Sequence, residues 1–339
     1  MRKSLLSRIP TALLLAAVAL LLSSCGWSLW DSPMTTVRPK SGFGRMTHEI
    51  FMLISWWTLG IGIVVEAALL WVCFHFREKP GQPIPKQVHG HTVLEVSWTI
   101  AFAVVLLIFA IPTIPVIFAT QAEPPATALR VDVGGRQWWW EFKYPDLKIV
   151  TANELHLPAG QTVAFNLHAP DVIHSFWMPQ LGGKRDVVPG RVNRLTLAPD
   201  EPGEYPGQCA EYCGMSHANM RFRVIVHSKA DFEKWVAAQQ GPPAQPTDPL
   251  AQKGQELFSQ SACVGCHTIT GVSGGVLGPN LTHFGSRKSM GANLMANTPE
   301  NVARWIENPG HMKPGVLMPD LGMRGEQPKA LAAYLLSLK

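Results

Sequence analysis

A chain of 339 residues has room for two or three domains, and 47% apolar against 16% charged residues puts membrane-spanning segments beside globular parts. The net charge of +5 is modest. With no basic cluster interleaved with aromatic residues, it argues against a nucleic-acid partner. Of the six cysteines, Cys25 and Cys73 sit in processing or apolar segments, while Cys209, Cys213, Cys263 and Cys266 pair at ligand-like spacings, which leaves no framework of structural disulfides.

Residues 1–25 open with Arg2, Lys3 and Arg8, continue through an apolar run from Leu13 to Leu22 and end at Ser23-Ser24-Cys25. This is the pattern of a secretory signal. Leu22-Ser-Ser-Cys25 is similar to a bacterial lipoprotein box, in which Cys25 becomes the acylated first residue. Cleavage elsewhere, or an uncleaved first helix, are the alternatives.

Within residues 45–121 two apolar runs, about 50–74 and about 93–119, are each long enough to span a bilayer. The basic stretch between them, from His75 to Lys86, places that loop in the cytoplasm. With the signal removed, both ends of this hairpin lie outside. Glu66 is the single ionisable residue of the first span and reads as a carboxyl in a helix interface.

From residue 122 to 230 the texture changes to short segments of β-branched and aromatic residues broken by Pro and Gly. Strands are expected at 129–133, 138–142, 154–157, 162–168, 191–197 and 220–227, a spacing that reads as a sandwich or barrel. Residues 231–250 combine a short helical pattern with a Pro-rich spacer. Helical patterns at 251–260 and about 328–338 then bracket a last domain, 251–339.

Two stretches carry chemistry. Gln208 to Met220 packs Cys209, Glu211, Cys213, His217 and Met220 into one short loop. Soft sulfur with imidazole selects copper, zinc or iron-sulfur, and a thioether leans towards a copper electron-transfer site. Two thiolates four residues apart, with His174 upstream, can bridge two metals. A Cys209–Cys213 disulfide or a Cys2His2 zinc site are the alternatives. In the second stretch, Cys263-Val-Gly-Cys266-His267 is the attachment pattern for c-type haem, with His267 as the proximal iron ligand. A zinc knuckle or a redox dithiol would be the bland reading. The sixth ligand must come from downstream, where Met290, Met295, Met312, Met318 and Met323 compete with His283 and His311.

The copper-type loop, the Asp171-Val-Ile-His174 segment and Lys184-Arg-Asp186-Val-Val-Pro-Gly-Arg191 resemble the copper A domain of cytochrome c oxidase subunit II over roughly residues 50–226. The resemblance implies a multidomain membrane protein: a two-helix transmembrane hairpin, a cupredoxin-like β-barrel and, from 251 onward, an all-α class I cytochrome c domain. It implies copper A ligation by His174, Cys209, the Glu211 carbonyl, Cys213, His217 and Met220, two copper ions in all. The Glu211 carboxylate would reach a magnesium ion shared with subunit I, with Asp186 nearby. Glu95 matches the glutamate at the mouth of a proton channel. Trp138 matches the patch where electrons enter, and Asp171 an acidic docking position for basic soluble cytochromes. In the cytochrome family the axial Met precedes a proline, which selects Met318 before Pro319, while Pro279 flanks the haem beside His267.

The implied function is that of the electron-receiving subunit of a caa-type respiratory oxidase in a bacterial plasma membrane, with its metal domains on the outer face. Electrons would run from haem c to copper A and on to the haem-copper subunit I, which reduces oxygen to water and pumps protons. Subunit I, subunit III, membrane lipid, and a soluble or membrane cytochrome c or an upstream cytochrome complex would be the partners. Rival readings are service to a nitrous-oxide reductase, a quinol oxidase subunit or a copper-binding module. The hairpin with Glu95, the full ligand set and the haem motif count against them in turn.

Overall fold

The computed structural model describes residues 32–339. The signal segment and Cys25 lie outside the described residues. Two helices, α1 (Gly42–His75) and α2 (Thr92–Gln121), are long and apolar enough to cross a membrane. They touch each other and leave most of their apolar side chains exposed. At 34 residues α1 is about 51 Å long, more than a bilayer's hydrocarbon core needs. Its extra turns, 42–49, precede the apolar run. They start at Ser41, whose hydroxyl accepts from Gly44 N at 2.9 Å and donates to the Leu181 carbonyl. Phe43 packs on Gly182 and Gly183, and Arg45 pairs with Asp200, so the helix begins welded to the next domain.

That domain is built from two five-stranded sheets. The first runs β3 (Ile149–Ala152), β2 (Trp139–Tyr144), β1 (Leu129–Arg136), β5 (Val163–His168), β8 (Asn193–Leu197), and only β1 and β5 are parallel. The second runs β4 (Glu154–Pro158), β10 (Arg221–His227), β9 (Gly203–Cys209), β6 (His174–Trp177), β7 (Arg185–Val187), with β4 and β10 parallel. Strict alternation on β5 buries Val163, Phe165 and Leu167 between the sheets. Trp140, Phe142, Phe176 and Phe222 fill the centre, and the last two stack at 4.7 Å. Every expected strand is found. Four more, β3, β6, β7 and β9, were not expected, because three are four residues or fewer and β9 carries Pro206 between two glycines.

Helix α3 (Lys229–Gln240) lies against the barrel through Phe232 and Trp235, and the Pro-rich stretch follows it. That stretch is not wholly free, since Pro243 and Pro246 are buried and Ala244 N donates to Lys339 O at 3.4 Å. The last domain has its own core around Phe258, Val302, Leu331 and Tyr334. Its helices are α4 (Pro249–Gln260), α5 (Cys263–Cys266), α6 (Pro299–Glu307), α7 (Pro309–Met312) and α8 (Gln327–Ser337). Two ladders of two residues per strand, Thr268–Ile269 with Ser273–Gly274 and Ser289–Met290 with Met295–Ala296, qualify the all-α expectation. They are too short to leave a period in the sequence.

Candidate metal and haem sites

Strands β6 and β9 are antiparallel neighbours with Phe176 opposite Cys209, which brings His174 beside the start of the 210–220 loop. The loop closes on itself through Cys209 N to Met220 O at 2.9 Å, and Ala210 N donates to Ser175 O at 2.9 Å. Six expected donors thereby converge. Cys209 Sγ lies 3.7 Å from Cys213 Sγ, 3.9 Å from His174 Nδ1 and 3.2 Å from the Glu211 carbonyl oxygen. Cys213 Sγ is 3.6 Å from His217 Nδ1 and 3.8 Å from Met220 Sδ. All but His217 and Glu211 are buried.

A sulfur separation of 3.7 Å is no disulfide, whose bond is about 2.0 Å. Six donors, one a thioether, also exceed what a tetrahedral zinc takes. Both sulfurs central to the cluster, one imidazole at each, with thioether and carbonyl outermost, fit two coppers bridged by thiolates. Hydrogen bonding between the two thiols favours one shared negative charge: it lowers the Cys209 pKa and raises that of Cys213. Releasing the second proton is work for bound cations.

Groups around the donors hold them in place. Burial works to lower the His174 pKa, but the hydrogen bonds to Asp171 and Cys209 outweigh it and the net shift is upward. Asp171 is exposed, and its carboxylate is turned towards His174. Its Oδ1 meets His174 Nε2 at 2.9 Å and accepts from Val172 N at 2.7 Å, and its Oδ2 accepts from Gln137 N at 2.7 Å. Gln137 Nε2 and Trp138 Nε1 both donate to the Cys213 carbonyl, at 2.7 and 2.9 Å. Gly135 lets the imidazole lie on the backbone, since a Cβ there would sit 2.9 Å from His174 Cδ2.

In the last domain His267 Nδ1–H donates to the Pro279 carbonyl at 2.8 Å, which leaves Nε2 as the ligand nitrogen. Burial lowers its pKa and keeps it neutral, as an iron ligand must be. A Cβ at Gly278 would come within 2.6 Å of the ring, so this glycine is a cradle for it. Cys263 and Cys266 are free thiols at the two ends of the single helical turn that His267 caps. Met290, Met295 and Met323 are engaged in the domain core, and Met312 lines a surface cleft with Arg304 and Arg324. Met318 is half-buried, with Trp305 Nε1 donating to its sulfur at 3.2 Å. The nitrogens of buried His283 and the Arg287 Nε have no protein partner among the described residues. Free thiols, an oriented imidazole, a Met and buried unpaired donors fit a covalently held haem.

The remaining expected residues are placed as follows. Glu95 Oε1 accepts from His91 N at 3.0 Å, closing the first turn of α2 while His91 Nδ1 accepts from Leu94 N. Glu66 is exposed on α1, and Asp186 and Glu211 are both exposed at the barrel's copper-loop end. Trp138 is only 7% exposed, its ring covered by Gly315 of the last domain. Sequence reasoning overlooked Glu154 and Lys313, both charged and buried, and the half-buried Arg287; no local spacing marks them.

Comparison with known proteins agrees with this arrangement. Three family profiles match the chain: "Cytochrome C oxidase subunit II, transmembrane domain" at 40–116, "Cytochrome C oxidase subunit II, periplasmic domain" at 147–228 and "Cytochrome c" at 251–339. Cytochrome c oxidase subunit 2 of Alkalihalophilus pseudofirmus is 38% identical over 332 residues, covering 96% of each chain. That of Bacillus sp. strain PS3 is 34% identical over 350 residues, again covering 96% of each. The crystal structure of the periplasmic domain of subunit II of cytochrome oxidase of Bradyrhizobium japonicum is 30% identical, with a TM-score of 0.33, over 34% of this chain and 96% of that one. With both metal-site loops, the hairpin and 34–38% identity over 96% of the chain in agreement, the chain belongs to the cytochrome c oxidase subunit II family.

Proposed function

We propose that this chain is the electron-receiving subunit of a respiratory cytochrome c oxidase, with a haem c domain fused behind its copper A domain. The convergence of His174, Cys209, the Glu211 carbonyl, Cys213, His217 and Met220 carries the reading. Cys263, Cys266, His267 and Met318 would hold haem c. When bound, haem c and the paired coppers each accept and release one electron at a time, on the way to a haem-copper subunit I that reduces oxygen to water.

The chain's own residues set the conditions for that traffic. Asp171 fixes the His174 ring, while Gln137 and Trp138 clamp the Cys213 carbonyl, so the donors change little in position when charge arrives. The Trp138 ring lies between Gly315 of the haem-carrying domain and the copper loop, and it supports Trp138 as the residue through which electrons enter. The finer assignments follow the same reading: the Glu211 carboxylate towards a shared magnesium with Asp186 nearby, Glu95 at a proton entrance, Cys25 acylated, the metal domains outside the plasma membrane, and subunits I and III as neighbours.

The test is spectroscopic and functional. The purified chain should carry two coppers sharing one unpaired electron, whose two equivalent nuclei give a seven-line paramagnetic resonance pattern; a single-copper signal sinks the dinuclear assignment. Membranes with this chain should oxidise reduced cytochrome c faster than membranes lacking it.

A further inference from the structure

Two buried charges cross the boundary between the copper and haem domains in opposite directions. Lys313, 2% exposed, leaves the haem-carrying domain just after α7. Its ammonium donates to Trp138 O at 2.6 Å and Asn219 O at 2.9 Å, both in the copper domain, and to Gly291 O at 3.1 Å in its own. All three of its donors are used. Glu154, 1% exposed at the start of β4, reaches the other way. Its Oε1 accepts from Lys288 N and Ser289 N, each at 2.9 Å, and from Ser289 Oγ at 3.0 Å.

Among the described residues neither charge is neutralised by a direct ion pair; each is satisfied mainly by the opposite domain's backbone. Taking an ion out of water is costly unless its hydrogen bonds are all remade, so such contacts add little raw affinity. They do make every other docking register expensive, because a slipped register strands a buried charge. Around them the rim is ordinary: Glu204 pairs with Lys288 and, at 2.6 Å, with Arg223, and Ser216 Oγ donates to Pro314 O. In this register Gly315, at φ 79°, meets the Trp138 ring and Met215 Sδ with no side chain between them.

We propose that Lys313 and Glu154 are positioning residues that lock the haem-carrying domain onto the copper domain in one register, so that electrons cross at the Gly315–Trp138 contact rather than by tethered diffusion. Burial lowers the Lys313 pKa to about 7, the cost of taking an ammonium out of water, while the three carbonyl acceptors around its nitrogen suit the protonated form. The inference rests on the copper and haem assignments above, but the docking itself can be read without them.

The experiment uses the full chain in lipid nanodiscs, with two readouts. Hydrogen exchange of residues 286–290 and 313–316 reports docking directly. Lys313→Leu and, more gently, Glu154→Gln should each speed exchange in both segments, the distant one included, by about tenfold or more. The second readout is the rate from photoreduced haem to copper, with and without about ten Gly/Ser residues inserted after Gln245. Tethered diffusion predicts a rate that falls as the linker lengthens, whereas a locked register does not. The native chain should change by less than about twofold on insertion. Lys313→Leu should transfer about tenfold more slowly and become sensitive to linker length, with both potentials unchanged. Should Lys313→Leu fail to fold, Glu154→Gln carries the same comparison. A native rate that falls with insertion, or exchange at 286–290 untouched by Lys313→Leu, overturns the lock. A chain that binds no copper yet keeps the coupled protection overturns the functional reading and leaves the docking standing.

Discussion

Asp171→Asn separates two roles for one carboxylate. His174 Nδ1 faces Cys209 Sγ, so the ring proton sits on Nε2 and is donated to Asp171 Oδ1. The same carboxylate accepts from two backbone N–H groups, those of Val172 and Gln137. An asparagine has one acceptor oxygen. Turned to His174 and Val172, it points its NH2 at the Gln137 N–H; flipped, it points its NH2 at His174 and Val172. Either way at least one donor loses its partner. An unmet donor costs about 1–3 kcal/mol when buried, and the lower end applies here because the Asp171 side chain keeps 27% of its exposure. Where the amide turns its NH2 to His174, the ring loses its fixed tautomer, and where it keeps its oxygen there, the unmet Gln137 N–H loosens the turn that holds the ring; loss of such a partner in metal sites costs about 10- to 100-fold in affinity. The assay is competition for copper against a chelator in the folded chain, read beside the steady-state KM for a basic soluble cytochrome. Weaker copper binding with little change in KM is expected. An unchanged copper affinity with a raised KM would refute the reasoning and restore Asp171 as a docking acid.

Gly278→Ala puts a methyl group 2.6–3.1 Å from three atoms of the His267 ring. It should cost about 1–3 kcal/mol and shift the haem spin state or midpoint potential, read by optical redox titration. Replacing Met318 with Ala should likewise lower the haem potential, whereas Met312→Ala should leave it alone; the reverse result moves the axial ligand to Met312. Barrel stability should fall as pH drops below 6.5. Burial, helped by the positive charges of His227, Arg287 and Lys288, holds the His156 pKa well below 6.5 in the folded state, so below 6.5 the unfolded chain binds the extra proton. The slope from this one group is at most about 1.4 kcal/mol per pH unit, and it should shrink in His156→Gln when unfolding is followed across pH.

What could be read from the chain tracks how local the chemistry is. Four of the expected copper donors, Cys209, Cys213, His217 and Met220, lie within twelve residues, and both expected haem thiols and the proximal His within five, so spacing announces them, whereas the Glu211 carbonyl comes only from the resemblance. His174 lies thirty-five residues before Cys209 and is joined to it only by the pairing of β6 with β9, which the strand pattern did not reveal. Glu154 and Lys313 look like surface residues, one at the start of an alternating strand and one before Pro314-Gly315. Their burial is a property of two domains meeting, and hydrophobic periodicity within either domain carries no trace of it. The extra turns of α1 were overlooked for a related reason: 42–49 is not apolar enough to enter a membrane, and its helix is stabilised by the Ser41 cap and the barrel surface.

The position of Trp138 has a consequence for the electron donor. Its indole N–H is spent on the Cys213 carbonyl, its backbone carbonyl on Lys313, and its ring lies beneath Gly315 beside Met215. A soluble protein docking on the copper domain would have to displace the last domain to reach that ring. Asp171 offers such a visitor little, because its oxygens are turned to His174, Val172 and Gln137. On the proposed function, an external donor therefore delivers to the haem, and the aromatic contact that would otherwise receive a diffusing partner is kept for one resident partner. Fusion then does more than raise an effective concentration: it allows an interface with buried charges, too specific to form and dissolve at each turnover, to carry every electron.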